Sequence, residues 1–100
     1  MRTDVVGRLR VTFGVYDALI YASVLDMGRL WERLLRRAKV PLAYTQGFSP
    51  HPRMQFGAAL PVGYSSEYEL VDVLLAERVA PLDFMRAAKG QAPHGLLISI

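Results

Sequence analysis

The chain has 100 residues and a mass of 11.2 kDa, the length of one small domain, which we predict over residues 1–100. With 52% hydrophobic and 21% charged residues, its composition is that of a folding chain, and its net charge is +3. The absence of cysteine excludes disulfides, cysteine nucleophiles and cysteine-bound zinc or iron–sulfur centres within this chain. Because no apolar run reaches the length of about 18 residues that a membrane-spanning helix needs, and residues 1–5 do not resemble a signal peptide, we expect a cytoplasmic protein without membrane contact.

Residues 8–13 alternate strictly between polar and apolar side chains, which predicts a strand with one buried face. The other face of this strand carries Arg8, Arg10 and Thr12. A turn is expected over residues 14–17. The first strand therefore presents two arginines and no aromatic side chain on its outer face.

A short strand or an extended lead-in is expected over residues 18–22, followed by a helix. Ser23 and Asp26 have the spacing of a capping box, and Pro41 ends the helix after about Lys39. Apolar side chains at intervals of three and four residues form one stripe: Met27, Leu30, Trp31, Leu34, Leu35 and Ala38. The arginines of the helix lie on its other side: Arg29, Arg33, Arg36 and Arg37.

In the rest of the chain, apolar segments that predict strands or a helix are separated by segments rich in turn-forming residues. In chain order we predict a short extended piece at 42–45, a loop at 46–53, a strand at 54–60, a turn at 61–66, a strand at 67–77, a helix from Pro81 to Gly90 and a strand at 96–100. The strand at 67–77 is apolar on both faces, which is typical of a central strand. The second helix is expected to bury a stripe of Leu82, Met85, Ala88 and Phe84.

This order of elements predicts an α+β fold of the ferredoxin-like βαββαβ type, an antiparallel sheet with two helices on one face. The core is expected to contain Phe13, Trp31, Phe56 and Phe84. Since the sequence ends inside an apolar strand, we expect the domain to be incomplete at its C-terminus.

The loop at 46–53 is the most unusual segment of the chain. Pro50 and Pro52 flank His51, and each proline fixes its own φ and favours an extended residue before it, so the imidazole is held at little further entropic cost. Such a rigid group beside a basic residue suits an anion or a polar ligand. The candidate binding residues are Tyr44, Gln46, Ser49, His51 and Arg53.

Three interpretations of this loop stay open: a rigid structural crossover, a surface that contacts a ligand or nucleic acid, and an active site with His51 as acid or base. His94 is the only other histidine, and no catalytic triad order, phosphate-binding glycine loop or metal-ligand spacing is present. We therefore predict no metal and no cofactor. The residues do not decide whether the protein is an enzyme, and they favour one that is not.

Charge is unevenly distributed along the chain. Residues 1–53 hold nine basic and four acidic side chains, whereas residues 54–100 hold three and five. The basic half could face RNA or an acidic partner. Arg36 and Arg37 also complement the dipole at the end of their helix, which would explain both residues without any ligand.

Residues 30–75 resemble the bacterial radical-SAM-linked domain family of unknown function known as DUF2344. The motifs that carry the resemblance are Gly-Phe-Ser-Pro-His-Pro at 47–52, Leu-Pro-Val-Gly at 60–63 and Ser-Glu-Tyr-Glu-Leu-Val-Asp at 66–72, and weaker similarity covers residues 9–100. The resemblance implies an accessory role beside a radical SAM protein with a cobalamin-binding region, and a link to RNA. Since the family has Ser-His-Leu-Asp where this chain has residues 23–26, and basic residues at the positions of Val15 and Ile20, a site built on those groups would be altered here.

The combined hypothesis is an accessory domain that presents the His51 loop and the arginine face of the first helix to RNA or to a partner protein. The alternative is an enzyme or enzyme subunit acting on a small anionic substrate, with Asp26 or Asp72 close to His51. A third hypothesis is a domain that docks on its partner through an apolar surface containing Tyr68, Leu70 and Leu74.

Overall fold

A computed structural model of the chain describes residues 2–58 and 68–99. Its elements are β1 (Gly7–Val15), a 3-10 helix (Asp17–Tyr21), α1 (Val24–Arg37), β2 (Met54–Ala58), β3 (Tyr68–Leu75), α2 (Pro81–Gln91) and β4 (Leu96–Ser99). The predicted turn at 61–66 and the outer ends of the strands that it was expected to join lie outside the described residues.

The four strands form one antiparallel sheet in the order β2-β3-β1-β4. Asp72 on β3 lies opposite Arg10 on one side and Gln55 on the other, whereas the adjacent Val71 lies between Val11 and Phe56. β3 and β1 are the central strands, as the apolar character of β3 on both faces predicts. This strand order and connectivity confirm the α+β, ferredoxin-like βαββαβ arrangement.

Alternation along the strands gives the sheet one apolar face, which α1 and α2 cover. The core is formed by side chains from the sheet and both helices: Val11, Phe13, Met27, Trp31, Leu34, Leu35, Val71, Val73, Leu75, Phe84, Ala88, Leu96 and Ile98. Trp31 lies at its centre, with its ring edge-on to Phe13 and the ring centroids 5.2 Å apart. The helices are therefore held by their apolar stripes, and their polar faces remain on the outside.

Both ends of α1 follow local rules of capping. At its start, Ser23 Oγ accepts a hydrogen bond from the Asp26 amide, and the Asp26 carboxylate accepts one from the Ser23 amide, which confirms the capping box. At its end, Lys39 adopts a positive φ of 58°, so the helix stops at Arg37, two residues before the predicted end.

Four local predictions are wrong. The turn expected over residues 14–17 does not begin at Gly14, because β1 continues to Val15. Residues 18–22 are not extended: most of them belong to the 3-10 helix, which Asp17 enters with a φ of 52°. Gly90 does not end α2, because the helix continues to Gln91 and the extended Ala92 before Pro93 terminates it. Leu82 is 75% exposed and does not belong to the buried stripe, which centres on Phe84 and Ala88.

Phe56 also differs from its predicted core position. Its ring packs edge-on to Phe13 at 6.3 Å, but 38% of the residue is exposed because β2 is an edge strand. The exposure of Phe56 is therefore determined by its position on an edge strand and not by its aromatic side chain.

Candidate functional site

The His51 loop, residues 44–53, is closed at its base. An isolated antiparallel bridge joins Tyr44 to Pro52. The Thr45 amide donates to the His51 carbonyl at 2.9 Å, and the His51 amide donates to Thr45 Oγ1 at 3.0 Å. Pro52 is buried, and the hydrogen bonds between the two ends of the loop close it at its base.

Main-chain hydrogen bonds attach the base of this loop to the sheet. The Arg53 amide donates to the Ala43 carbonyl at 2.8 Å, the Ala43 amide donates to the Leu74 carbonyl at 3.0 Å, and the Leu74 amide donates to the Arg53 carbonyl at 3.1 Å. The base of the loop is therefore hydrogen-bonded to the end of β3. Arg53 is exposed at its base.

The tip of the loop exposes an aromatic ring. Phe48 is fully exposed, and it follows Gly47, whose φ of 127° suits glycine alone. Gln46 and Ser49 are exposed on either side. Phe48 was missing from the predicted binding residues, although an aromatic residue between glycine and serine in a polar loop is a readable signal.

His51 points away from the apolar core. Its side chain is 62% exposed, and its Nδ1 lies 3.6 Å from Oε1 of Glu32 on α1. The predicted carboxylates are elsewhere, because Asp26 caps α1 and Asp72 pairs with Arg10 on the opposite face of the sheet. Glu32 was missed, since its proximity depends on how the loop packs beside α1.

A second contact joins the loop to α1. The guanidinium carbon of Arg36 lies 6.0 Å from the centroid of the Tyr44 ring, at the outer limit of a cation–π interaction. Together with the pair between His51 and Glu32, this contact places the loop beside the outer face of the helix. Of the four predicted arginines of α1, Arg36 is the one that these contacts place beside residues 44–53.

The arginines of α1 are free of described acidic partners. Arg29, Arg33, Arg36 and Arg37 form no ion pair with any carboxylate in residues 2–58 and 68–99. Three of them, Arg29, Arg33 and Arg37, line a groove of about 630 Å³ between α1 and the C-terminal end of α2. We call this the α1–α2 groove.

The outer face of the sheet contrasts with α1, because its two arginines share a carboxylate, that of Asp72. Arg10 binds Asp72 through two hydrogen bonds of 2.9 and 3.1 Å, and Arg8 lies 4.0 Å from the same carboxylate. The hydrogen bonds from Arg10 hold the pKa of Asp72 below its ordinary value, and they raise the pKa of Arg10 in turn. The outer face is therefore less available to an anion than α1.

The third hypothesis proposed docking through an apolar surface that contains Tyr68, Leu70 and Leu74. Burial removes Leu74 from that surface. Leu74 is only 4% exposed, and Leu70 is half-buried. Large exposed apolar side chains lie instead at Tyr21, Val24 and Leu25, where the 3-10 helix meets α1. A groove of about 420 Å³ adjoins Val24.

His94, the second histidine, is not part of the His51 site. Its Nε2 lies 2.8 Å from an oxygen of Asp17, and its ring stands edge-on to Tyr16 at 5.1 Å. Among the described residues, no group of three histidine or acidic side chains could hold a metal ion. Neither α1 nor α2, the two α-helices in the described ranges, is long and apolar enough to cross a membrane.

Comparison with known proteins gives one match. Residues 8–99 match the model of a family described as an uncharacterized protein conserved in bacteria, DUF2344. No curated protein and no solved structure matches. The match covers both the His51 loop and the arginines of α1, and the chain therefore belongs to the DUF2344 family.

Proposed function

We propose that this domain is a non-enzymatic accessory module that binds RNA on the side formed by the His51 loop and the outer face of α1. The observation that carries the proposal is the contact between these two elements, in which Glu32 and Arg36 lie against His51 and Tyr44. Charged and aromatic groups from distant parts of the sequence are thereby combined in one surface.

This surface offers one kind of group for the phosphate of a nucleotide and another for its base. Exposed guanidinium groups on α1 are available to phosphate oxygens, to which they make strong, charge-assisted hydrogen bonds. At the loop tip, Phe48 offers a ring on which an unpaired base can stack. Closure of the loop at its base lowers the entropy cost of ordering that ring when RNA binds.

Fluorescence anisotropy with a labelled short RNA, measured at several salt concentrations, tests the proposal. We expect binding that weakens steeply with salt, because phosphate contacts release counterions. Arg36→Gln should weaken binding about tenfold, as expected for loss of one charge-assisted contact. Arg8→Gln removes the same charge from the opposite face of the sheet and serves as the matched control. Absence of binding at low salt, or equal loss in both variants, would refute the proposed surface.

A second candidate function is acid–base catalysis on a small anionic substrate, which the proximity of His51 and Glu32 favours. NMR titration of the isotope-labelled protein with inorganic phosphate and with a small phosphate ester distinguishes catalysis from RNA binding. Shifts confined to the amides around His51 and Arg53, together with turnover of the ester that His51→Gln abolishes, would support catalysis. RNA binding without either result would support the binding module.

The partner in this proposal is a radical SAM protein with a cobalamin-binding region, on the strength of the sequence resemblance alone. Affinity purification of the tagged protein from its native cells, with and without ribonuclease treatment, tests this association. Retention of such a protein after ribonuclease treatment would support a direct contact. Loss of that protein after ribonuclease treatment would show that the two proteins associate only by binding the same RNA.

A further inference from the structure

The α1–α2 groove has a regular row of positive charges along one wall. Arg29, Arg33 and Arg37 are spaced by four residues, so successive arginines are displaced by about 6 Å along the helix axis. They make no ion pair with the carboxylates that the structure describes. A row of separated anionic groups, such as the phosphates of an extended strand, can therefore follow this wall.

Besides the arginines, the groove is lined by apolar side chains and by an amide, which a site for phosphate alone would not need. The half-buried Leu30 lines it beside the arginines, and the exposed Gln91 and Pro93 line it from the end of α2. Leu34 also borders the groove but is only 2% exposed. Apolar side chains suit the face of a base, and the Gln91 amide can both donate to and accept from a base edge. The groove is open to solvent, and its volume of about 630 Å³ leaves room for one nucleotide to lie in it without being enclosed.

The lining of the groove, and not Asp26 at one end of it, decides between RNA and an acidic peptide. The Asp26 carboxylate repels the phosphates of RNA and the carboxylates of a peptide alike, so charge alone does not discriminate between them. A nucleotide also offers a planar base to the apolar side chains, and donors and acceptors to the Gln91 amide. The combination of an arginine row, an apolar lining and a side-chain amide therefore favours a nucleotide.

We propose that the α1–α2 groove takes up one unpaired nucleotide while adjacent phosphates lie on Arg29, Arg33 and Arg37, so that the ligand is single-stranded RNA. This inference rests on the proposed function and narrows its substrate. A base held within a duplex cannot enter a groove between two helices or stack on Phe48. Duplex RNA should therefore bind more weakly than a single strand of the same sequence.

Gly90 gives a direct test, because it lines the groove and a Cβ at this position would meet no heavy atom within 4 Å. Gly90→Phe should occupy the groove without removing any charge, and we expect it to weaken binding of a labelled single-stranded 12-nucleotide RNA about tenfold or more. Gly90→Ala adds only a methyl group and should leave the affinity within about twofold.

The salt dependence gives an independent measurement that does not need the Gly90→Phe variant. Three phosphate contacts on a single strand correspond to a slope of about −2 in a plot of log affinity against log salt concentration. Arg29→Gln, Arg33→Gln and Arg37→Gln should each reduce the magnitude of that slope by about 0.7. Arg8→Gln should leave it unchanged.

The outcomes separate this inference from the proposed function. Preference for the single strand, with loss of affinity in Gly90→Phe and unchanged binding in Gly90→Ala, supports the groove. If RNA binds but duplex and single strand are equivalent, or Gly90→Phe has no effect, the groove proposal is wrong and the RNA-binding function stands. Competition by poly-L-glutamate as strong as by RNA at equal charge also overturns it. Failure of any RNA to bind at low salt refutes both.

Discussion

Arg10 and Asp72 face each other across the two central strands, and two hydrogen bonds join them on the outer face of the sheet. Asp72 is the one charged residue among the buried side chains of the described ranges, at 7% exposure. The pair therefore satisfies a carboxylate that would otherwise be costly to bury.

We expect Asp72→Asn to lower the free energy of unfolding by about 1 kcal/mol, because the amide removes the charge on which the interaction with Arg10 depends and the exposure of Arg10 limits the effect. Urea denaturation measures the change. Glu77→Gln, which breaks an exposed ion pair with Arg2, should have a much smaller effect. Equal losses in the two variants would contradict the special position of Asp72.

Acid should remove the contribution of Asp72. Its folded-state pKa is lowered by Arg10, so at acidic pH the unfolded chain binds the proton first. The contribution is complete above the ordinary carboxyl pKa of about 3.9 and declines as the pH falls through the lower folded value. The difference in urea midpoint between wild type and Asp72→Asn should therefore be constant from pH 7 to 5 and shrink below about pH 4. A difference that grows on acidification would contradict this assignment.

Gly95 occupies a position that other residues cannot adopt without strain. Its φ is 100°, and a Cβ would lie 3.0 Å from the Leu19 side chain and from the Tyr16 carbonyl oxygen. We expect Gly95→Ala to lower the free energy of unfolding by about 2 kcal/mol. Gly28→Ala, within α1 and with nothing within 4 Å of the added carbon, should raise it by about 0.5 to 1 kcal/mol. Thermal denaturation of both variants gives the comparison, and a stable Gly95→Ala would overturn it.

Closure of the His51 loop depends on the hydroxyl of Thr45. Thr45→Val keeps the shape of the side chain but leaves the His51 amide without its acceptor. We expect amide exchange at His51 to accelerate about tenfold, with little change in global stability, because the site is exposed. Thr45→Ser retains the acceptor and should exchange at nearly the wild-type rate. Unchanged exchange in Thr45→Val would show that the prolines alone fix the loop.

Local sequence signals predicted most of the fold. Alternation placed β1, the capping box placed the start of α1, and apolar residues on both faces identified β3 as central. No local sequence signal predicted the 3-10 helix. It is held by contacts with residues far along the chain, such as the hydrogen bond from the Tyr16 amide to the Gly95 carbonyl.

The same distinction applies to the candidate site. Pro50 and Pro52 predict a constrained loop, and that constraint stays a prediction. The arginine face of α1 follows from helical periodicity, so it was accessible from the sequence. The pairing of His51 with Glu32 was not, because it depends on where a loop that leaves the sheet passes α1. Gly90 was misread for a related reason: a glycine within a helix and one that ends it look alike until the backbone is known.

The burial of Trp31 has a practical consequence for spectroscopy. It is the only tryptophan in the chain, it is fully enclosed beside Phe13, and it lies on the opposite side of α1 from the arginines. Its emission spectrum should therefore report the integrity of the interior and remain insensitive to occupancy of the outer surface. A natural fluorophore in this position allows misfolded variants to be recognised in the same cuvette in which affinity is measured, without any added label on the protein.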